Sequence, residues 1–366
     1  MFYLHDGAKS FIINGKKYSI SEVSENFREL AAEGLAGVCG VNMATWRILK
    51  TFSFSSSFSP LSSSRLLLKR QKLLSGRKYA SSTPRKPVSV SEYCLDTIKT
   101  SEYENFLSLL LLPEQSRPAA IAIRAFNIEL AQVPDVTSET LMARMRYQFW
   151  RDTLDQIYKG GSPNQPLALL LRRAIERSKL SKRWLKSMID SREDQLENKQ
   201  FSSVKAVEDY SEKSNSVLYY LILQSMGIEN VHADHAASHI GKAEGLVKLL
   251  RGVPFLGAKR TVLLPRDIMM QHGVSQEEVV RGVRDQKVKD VIYDVASVAH
   301  QHIEHARSFM KDVPAEARVA LLPSMAVFAY LKALQKADFD IFDGRLQKRN
   351  TWLPFSLWWA KVRKTY

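Results

Sequence analysis

The sequence predicts an all-α protein, a single helical domain preceded by a disordered N-terminal targeting region. Three observations lead there. Between residues 91 and 337 apolar side chains recur at helical spacing, with glycine and proline breakers between the periodic runs. One run, residues 119–132, is apolar around almost its whole circumference, the pattern of a helix buried among other helices. No credible sheet competes, since the one hairpin-like stretch, FIINGKKYSI at residues 11–20, lies far upstream.

Taken in order, Ser91 and Ser101 open two short helices, and Pro113 ends the second. The buried run follows. It carries Asn127, Glu129 and Gln132, polar groups that need partners on neighbouring helices or a ligand in a central cavity. Ser138 and Glu139 suit the start of the next helix, which reaches Lys159 before Gly160, Gly161 and Pro163 break it. Residues 167–176, 182–198 and 204–224 read as further helices, and a long one runs from after Gly227 to about Arg251. Residues 285–311 show the strongest periodicity, with Val288, Val291, Ile292, Val295, Val298, His302, Ile303, Ala306, Phe309 and Met310 on one stripe. Residues 320–337 form the last core helix. No uninterrupted apolar run approaches 18 residues, so no spanning helix is expected.

Charge is unevenly distributed. The formal net charge is +15, but residues 43–87 hold ten Lys or Arg and no acid, while residues 1–42 carry four bases against five acids. Residues 88–366 therefore account for only +6, too little to suggest a nucleic-acid partner. The 43–87 segment is basic, serine-rich and free of acids, the composition of a mitochondrial transit peptide with its linker. Arg77, Tyr79 and Ala80 suit a matrix-protease site that cuts after Tyr79. Residues 1–42 lack that character and read as an upstream extension to which no function is assigned. Met43 is the natural beginning of the presequence.

Several side-chain sets could carry chemistry. Asp190 and Asp194 share a helix face at a spacing that could hold a metal, although a solvated charged face with Arg192 and Lys199 as partners is the ordinary reading. His232, His235 and His239 fall on one helical face, but without a clear supporting acid no metal is assigned to them. His300 and His305 are weaker candidates, and His302 belongs to the apolar stripe as a hydrogen-bonded core residue. Cys39 and Cys94 are the only cysteines, which excludes a disulfide scaffold and cysteine-based zinc or iron–sulfur sites. No GxSxG or glycine-rich phosphate loop is present, and no cofactor is implied.

The C-terminal tail, residues 341–366, differs from the rest. Trp352, Phe355, Trp358 and Trp359 lie between basic residues that include Lys361 and Arg363, a composition suited to the headgroup region of an anionic membrane. The competing expectation is that the tryptophans pack back onto the helical body.

The order LLP, then AFNIELAQV, then RYQFWRDTLDQIY, together with GKAEGLVKLLRGVPFLGAKRTVLLPRD at residues 241–267, resembles the squalene/phytoene synthase family. The resemblance spans roughly residues 88–337 and implies an isoprenoid-synthase-like domain over residues 88–340. In the family's active members two aspartate-rich helices hold Mg²⁺ against a diphosphate leaving group. Here Ala131 and Gln132 stand where the first motif's paired aspartates would be, leaving only Asp135. In the second motif Lys248 replaces an asparagine and Gly252 an aspartate, and a lysine there would repel the cation. The presequence, AFNIELAQV in place of the aspartates, and the ending NTWLPFSLWW narrow the resemblance to a noncatalytic mitochondrial branch. It implies a protein on the matrix side of the inner membrane that helps build NADH:ubiquinone oxidoreductase by binding assembly intermediates or subunits and membrane lipids. Asn127, Glu129, Asp190 and Asp194 are then candidate polar residues of a central cavity able to take an isoprenoid or other lipid. The alternative is a prenyl-diphosphate-using transferase with Asp135, Asp190, Asp194 and Glu129 as an unorthodox acid set.

Overall fold

The computed structural model describes residues 10–13, 16–19, 90–137, 139–197 and 200–366. The proposed cleavage residues Arg77, Tyr79 and Ala80, together with Ser138, Asn198 and Lys199, lie outside the described residues. The chain divides into two units, Met1–Pro84 and Arg85–Tyr366. In the first, strands β1 (Ser10–Ile13) and β2 (Lys16–Ser19) pair antiparallel, Ser10 opposite Ser19 and Ile13 opposite Lys16, where the sequence read as a hairpin.

Every regular element among the described residues of the second unit is a helix. It opens with α1 (Val90–Ser101) and α2 (Tyr103–Leu111), separated at Glu102, whose backbone leaves the helical region. The predicted buried helix is α3 (Arg117–Val136), most of whose residues are inaccessible to solvent. It continues past residue 132 and through Pro134. That proline cannot donate to the carbonyl of Leu130, and the Tyr147 hydroxyl from the next helix donates to it instead (3.3 Å).

Next come α4 (Thr140–Tyr158), closed by Gly160 at φ +83°, α5 (Pro166–Ser178) and α6 (Lys182–Glu197). The predicted single helix over residues 204–224 is three pieces: α7 (Val204–Ser211), one wide π turn (Glu212–Ser216) and α8 (Val217–Ser225). The hydroxyls of Ser211 and Ser214 donate to the carbonyls four residues back (2.6 and 2.7 Å), which loosens the α-helical ladder there.

The long α9 (Val231–Ala258) is capped by Asn230, whose side chain accepts from the amide of Ala233, and it runs beyond the predicted end at Arg251. Sequence reading passed over two short helices, α10 (Arg266–Gln271) and α11 (Gln276–Val280), although Ser275 and Glu278 form the capping box that their spacing signals. Then α12 (Gln286–Ser308) lays its stripe of Val288, Val291, Ile292, Val295 and Ile303 along α9, the most extensive helix pair in the fold.

A 3₁₀ turn (Ala317–Leu321) precedes α13 (Ser324–Lys336). The segment Ala317–Lys336 is long and apolar enough to cross a membrane by length and composition, but it is mostly buried inside the body as core. A second 3₁₀ turn (Gly344–Gln347) leads to α14 (Leu353–Arg363), which packs on α2 and α13.

The approach of the π turn to α9 is close enough to exclude a side chain. A Cβ on Gly241 would lie 2.4 Å from the Ser216 Cα, and one on Gly245 would lie 2.0 Å from the Ser211 hydroxyl oxygen. Only glycine fits at Gly241, where the obstacle is backbone.

Candidate functional site

The break between α1 and α2 turns Glu102 away from capping and into the middle of the bundle. There it meets Arg124 and Asn127 from α3 and Glu244 and Lys248 from α9. Arg124 Nη1 lies 3.1 Å from Glu102 Oε2 and 3.7 Å from Glu244 Oε1, and its side chain is only 1% exposed. Lys248 Nζ lies 2.9 Å from Glu244 Oε1 and 3.6 Å from Glu102 Oε1.

The remaining acceptors and donors are satisfied from all sides. Asn105 Nδ2 donates to Glu102 (3.0 Å) and to Glu244 (3.1 Å), and Asn127 Nδ2 donates to Glu102 Oε1 (3.1 Å). The Tyr219 hydroxyl donates to Glu244 Oε2 (2.5 Å), and Lys248 donates to Asn215 Oδ1 (3.0 Å). The π turn carries Asn215, so the glycine contact just described sets the position of a ligand to Lys248. Arg192 extends the network by donating to Asn127 Oδ1 (2.5 Å) and to the Met188 carbonyl (2.9 Å).

Two buried carboxylates thus face the fixed charges of Arg124 and Lys248. Burial alone would raise the pKa of Glu244, but Lys248 and then Arg124 outweigh it and hold it at about 2. The Glu102 carboxyl is lowered by the same two cations against the same burial. Lys248 is raised, its own burial being overcome by Glu244 and then Glu102, and burial pushes the Tyr219 phenol well above its ordinary value. The arrangement is an ion network in which the protein's own ammonium stands between the acids. Its Glu102, Glu244 and Lys248 form part of the wall of a cleft of about 520 Å³, together with Arg251, Gly252 and Phe255 among others.

Of the predicted cavity and motif positions, the structure brings Asn127 and Lys248 into the network. Ala131, Gln132 and Asp135 are exposed at the end of α3, with Asp135 paired to Lys259 (2.9 Å). Gly252 is on the cleft wall. Glu129 pairs with Arg146 (3.1 Å) and Asp190 with Arg151 (2.7 Å), both away from the buried acids, while Asp194 lines a separate cavity with Gln200 and Tyr210. The reading of Arg192 as a surface partner of the nearby acids is corrected. It is buried at 8% exposure and serves Asn127, and Arg151 from α4 takes the role at Asp190.

Glu102, Arg124, Tyr219 and Glu244 were missed by sequence reading. The signal available was a lone charge inside an apolar helical run, as in IAIRAFN and KAEGLV.

In the tail, α14 divides the two expectations between its faces. Leu353, Leu357 and Ala360 are buried against Leu322 and Ala326, while Trp352 is 71% exposed and Phe355 and Trp358 also face outward. The aromatic rings contact one another, with Phe355 stacked on Trp359 at 6.4 Å and 5.9 Å from Trp358. Tyr366 anchors the end of the chain by donating to the Ala306 carbonyl (2.9 Å).

A helical bundle with a polar centre where α3 and α9 meet is the architecture of an isoprenoid-synthase-like protein. The chain belongs to the squalene/phytoene synthase family, whose model matches residues 98–353. It is 48% identical over 292 residues to "NADH dehydrogenase (ubiquinone) complex I, assembly factor 6" of Bos taurus, covering 80% of this chain and 88% of that one. The protein of the same name from Homo sapiens is 47% identical over 293 residues, with the same coverage. Among solved structures, a dehydrosqualene synthase in complex with ligand superimposes with a TM-score of 0.64 at 17% identity, covering 75% of this chain and 95% of that one, a likeness of fold alone.

Proposed function

We propose that this chain is a noncatalytic member of its family that helps assemble respiratory complex I by binding, at the matrix face of the mitochondrial inner membrane. The observation that carries the noncatalytic reading is the Lys248 ammonium between Glu102 and Glu244. A Mg²⁺ ion entering there would meet two fixed positive charges and would have to break buried ion pairs, each of which is costly to disrupt. The exposed Ala131 and Gln132 offer no carboxylate at the other motif.

The names of the Bos taurus and Homo sapiens relatives support the link to complex I, with assembly intermediates or subunits as partners. The acid-free composition of residues 43–87 supports mitochondrial import, with processing after Tyr79. The outward Trp352, Phe355 and Trp358, with Lys361 and Arg363 beside them, support a peripheral foot on anionic lipid. The 520 Å³ cleft favours a second role for the same protein, holding an isoprenoid or other lipid without turning it over.

Depletion followed by re-expression tests the reading. Loss of the protein should lower assembled complex I while complexes III and IV hold, and the intact chain should restore it. Equal loss of all three complexes would count against a specific role.

A further inference from the structure

A histidine group lies on the surface where α9 and α12 run together, apart from the central network. His239 Nδ1 is 2.8 Å from His302 Nδ1, and His239 Nε2 is 3.2 Å from His235 Nε2. His302 Nε2 is 2.6 Å from Glu208 Oε1. For neutral imidazoles, proton bookkeeping then sets the tautomers. A carboxylate only accepts, so His302 carries its proton on Nε2 and leaves Nδ1 bare. The bare Nδ1 accepts from His239 Nδ1, which strips His239 Nε2 of any proton. A lone pair on His239 is therefore held out toward His235.

One ring nitrogen from each of His235, His239 and His305 lies within 4.8 Å of the other two. Metal–nitrogen bonds of about 2.0–2.1 Å in a tetrahedron place ligand nitrogens about 3.3 Å apart. The His235–His239 pair already has that separation, and the exposed His305, its ring 4.3 Å from that of His239, would close the remainder by side-chain rotation. Phe309 covers one flank, its ring 4.7 Å from His235 and 4.8 Å from His305.

We propose that His235, His239 and His305 form a site for a borderline divalent metal ion of the zinc class, supported by the Glu208–His302 relay and open at a fourth position. Three neutral imidazoles suit zinc or copper, and an all-nitrogen set disfavours Mg²⁺ and Ca²⁺. His302 acts as a positioning residue, fixing which nitrogen of His239 is free. The supporting acid that the α9 histidines lacked in sequence comes from α7. The site stands independently of the proposed role in assembly.

The test titrates the full chain, stripped with a chelator, with Zn²⁺ by calorimetry and with Co²⁺ by visible absorption. One equivalent should bind, with the strong d–d bands of four-coordinate Co²⁺. His239→Ala and His305→Ala should abolish that equivalent, and His302→Phe should weaken it about 10- to 100-fold and shift the Co²⁺ bands. His232→Ala and His300→Ala should leave it intact, with circular dichroism confirming that every variant is folded. Failure of the full chain to bind an equivalent, or an equivalent that survives both His239→Ala and His305→Ala, overturns the proposal.

Discussion

Arg124 is the residue on which the interior depends most. Its guanidinium is fully enclosed and neutralises Glu102 and Glu244, so removing it leaves two buried carboxylates to share Lys248. Arg124→Leu should destabilise the fold by about 3–5 kcal/mol, read from the urea midpoint. Glu244 adds a pH dependence of definite sign. Its carboxyl is held at about 2 in the folded chain against 4.5 ordinarily, because Lys248 and Arg124 overcome its burial. The folded state therefore favours the ionised form. That contribution is complete above about pH 4.5 and is lost as pH falls toward 2. Urea midpoints between pH 6 and 3 should fall with acid, and Glu244→Gln should be less stable at pH 6 with a shallower slope. An unchanged slope would contradict the assignment.

At the scale of elements, α9 and the π turn form one unit. Gly241→Ala would push a methyl group into the Ser216 backbone and should cost about 1–3 kcal/mol by thermal denaturation. The tail allows packing and the proposed membrane contact to be tested separately. Leu357 is fully buried, so Leu357→Ala should cost about 2–5 kcal/mol. Trp352→Ser with Phe355→Ser should leave the melting temperature within a few degrees and reduce sedimentation with cardiolipin-containing vesicles. Full sedimentation of that folded variant would contradict the membrane foot. Much at this scale was legible in the sequence. The all-round apolarity of α3 announced its burial, and the stripe on α12 announced its seam with α9. The π turn was not legible, because Ser211 before it and Ser214 within it act through carbonyls one turn back and leave the helical periodicity intact. The ion network was legible only as isolated charges in apolar runs. Glu102 and Lys248 are distant in sequence, and periodicity says nothing of which helices will face each other.

The whole molecule combines an isoprenoid-synthase fold with a centre in which lysine stands between the acids. Most of its formal net charge, ten of the fifteen positive charges in excess, lies in residues 43–87, outside the family domain. Leu353, on the buried face of α14, also lines the central cleft. The account predicts a protein that binds without turnover. Diphosphate release by the full chain, with Mg²⁺ and C15 or C20 prenyl diphosphates, measures this most directly. The expected result is no Mg²⁺-dependent release above the protein-free rate, from a sample shown to be folded. Sustained release that needs Mg²⁺ and disappears on Asp190→Asn or Asp194→Asn would contradict the account and make the chain an isoprenoid enzyme.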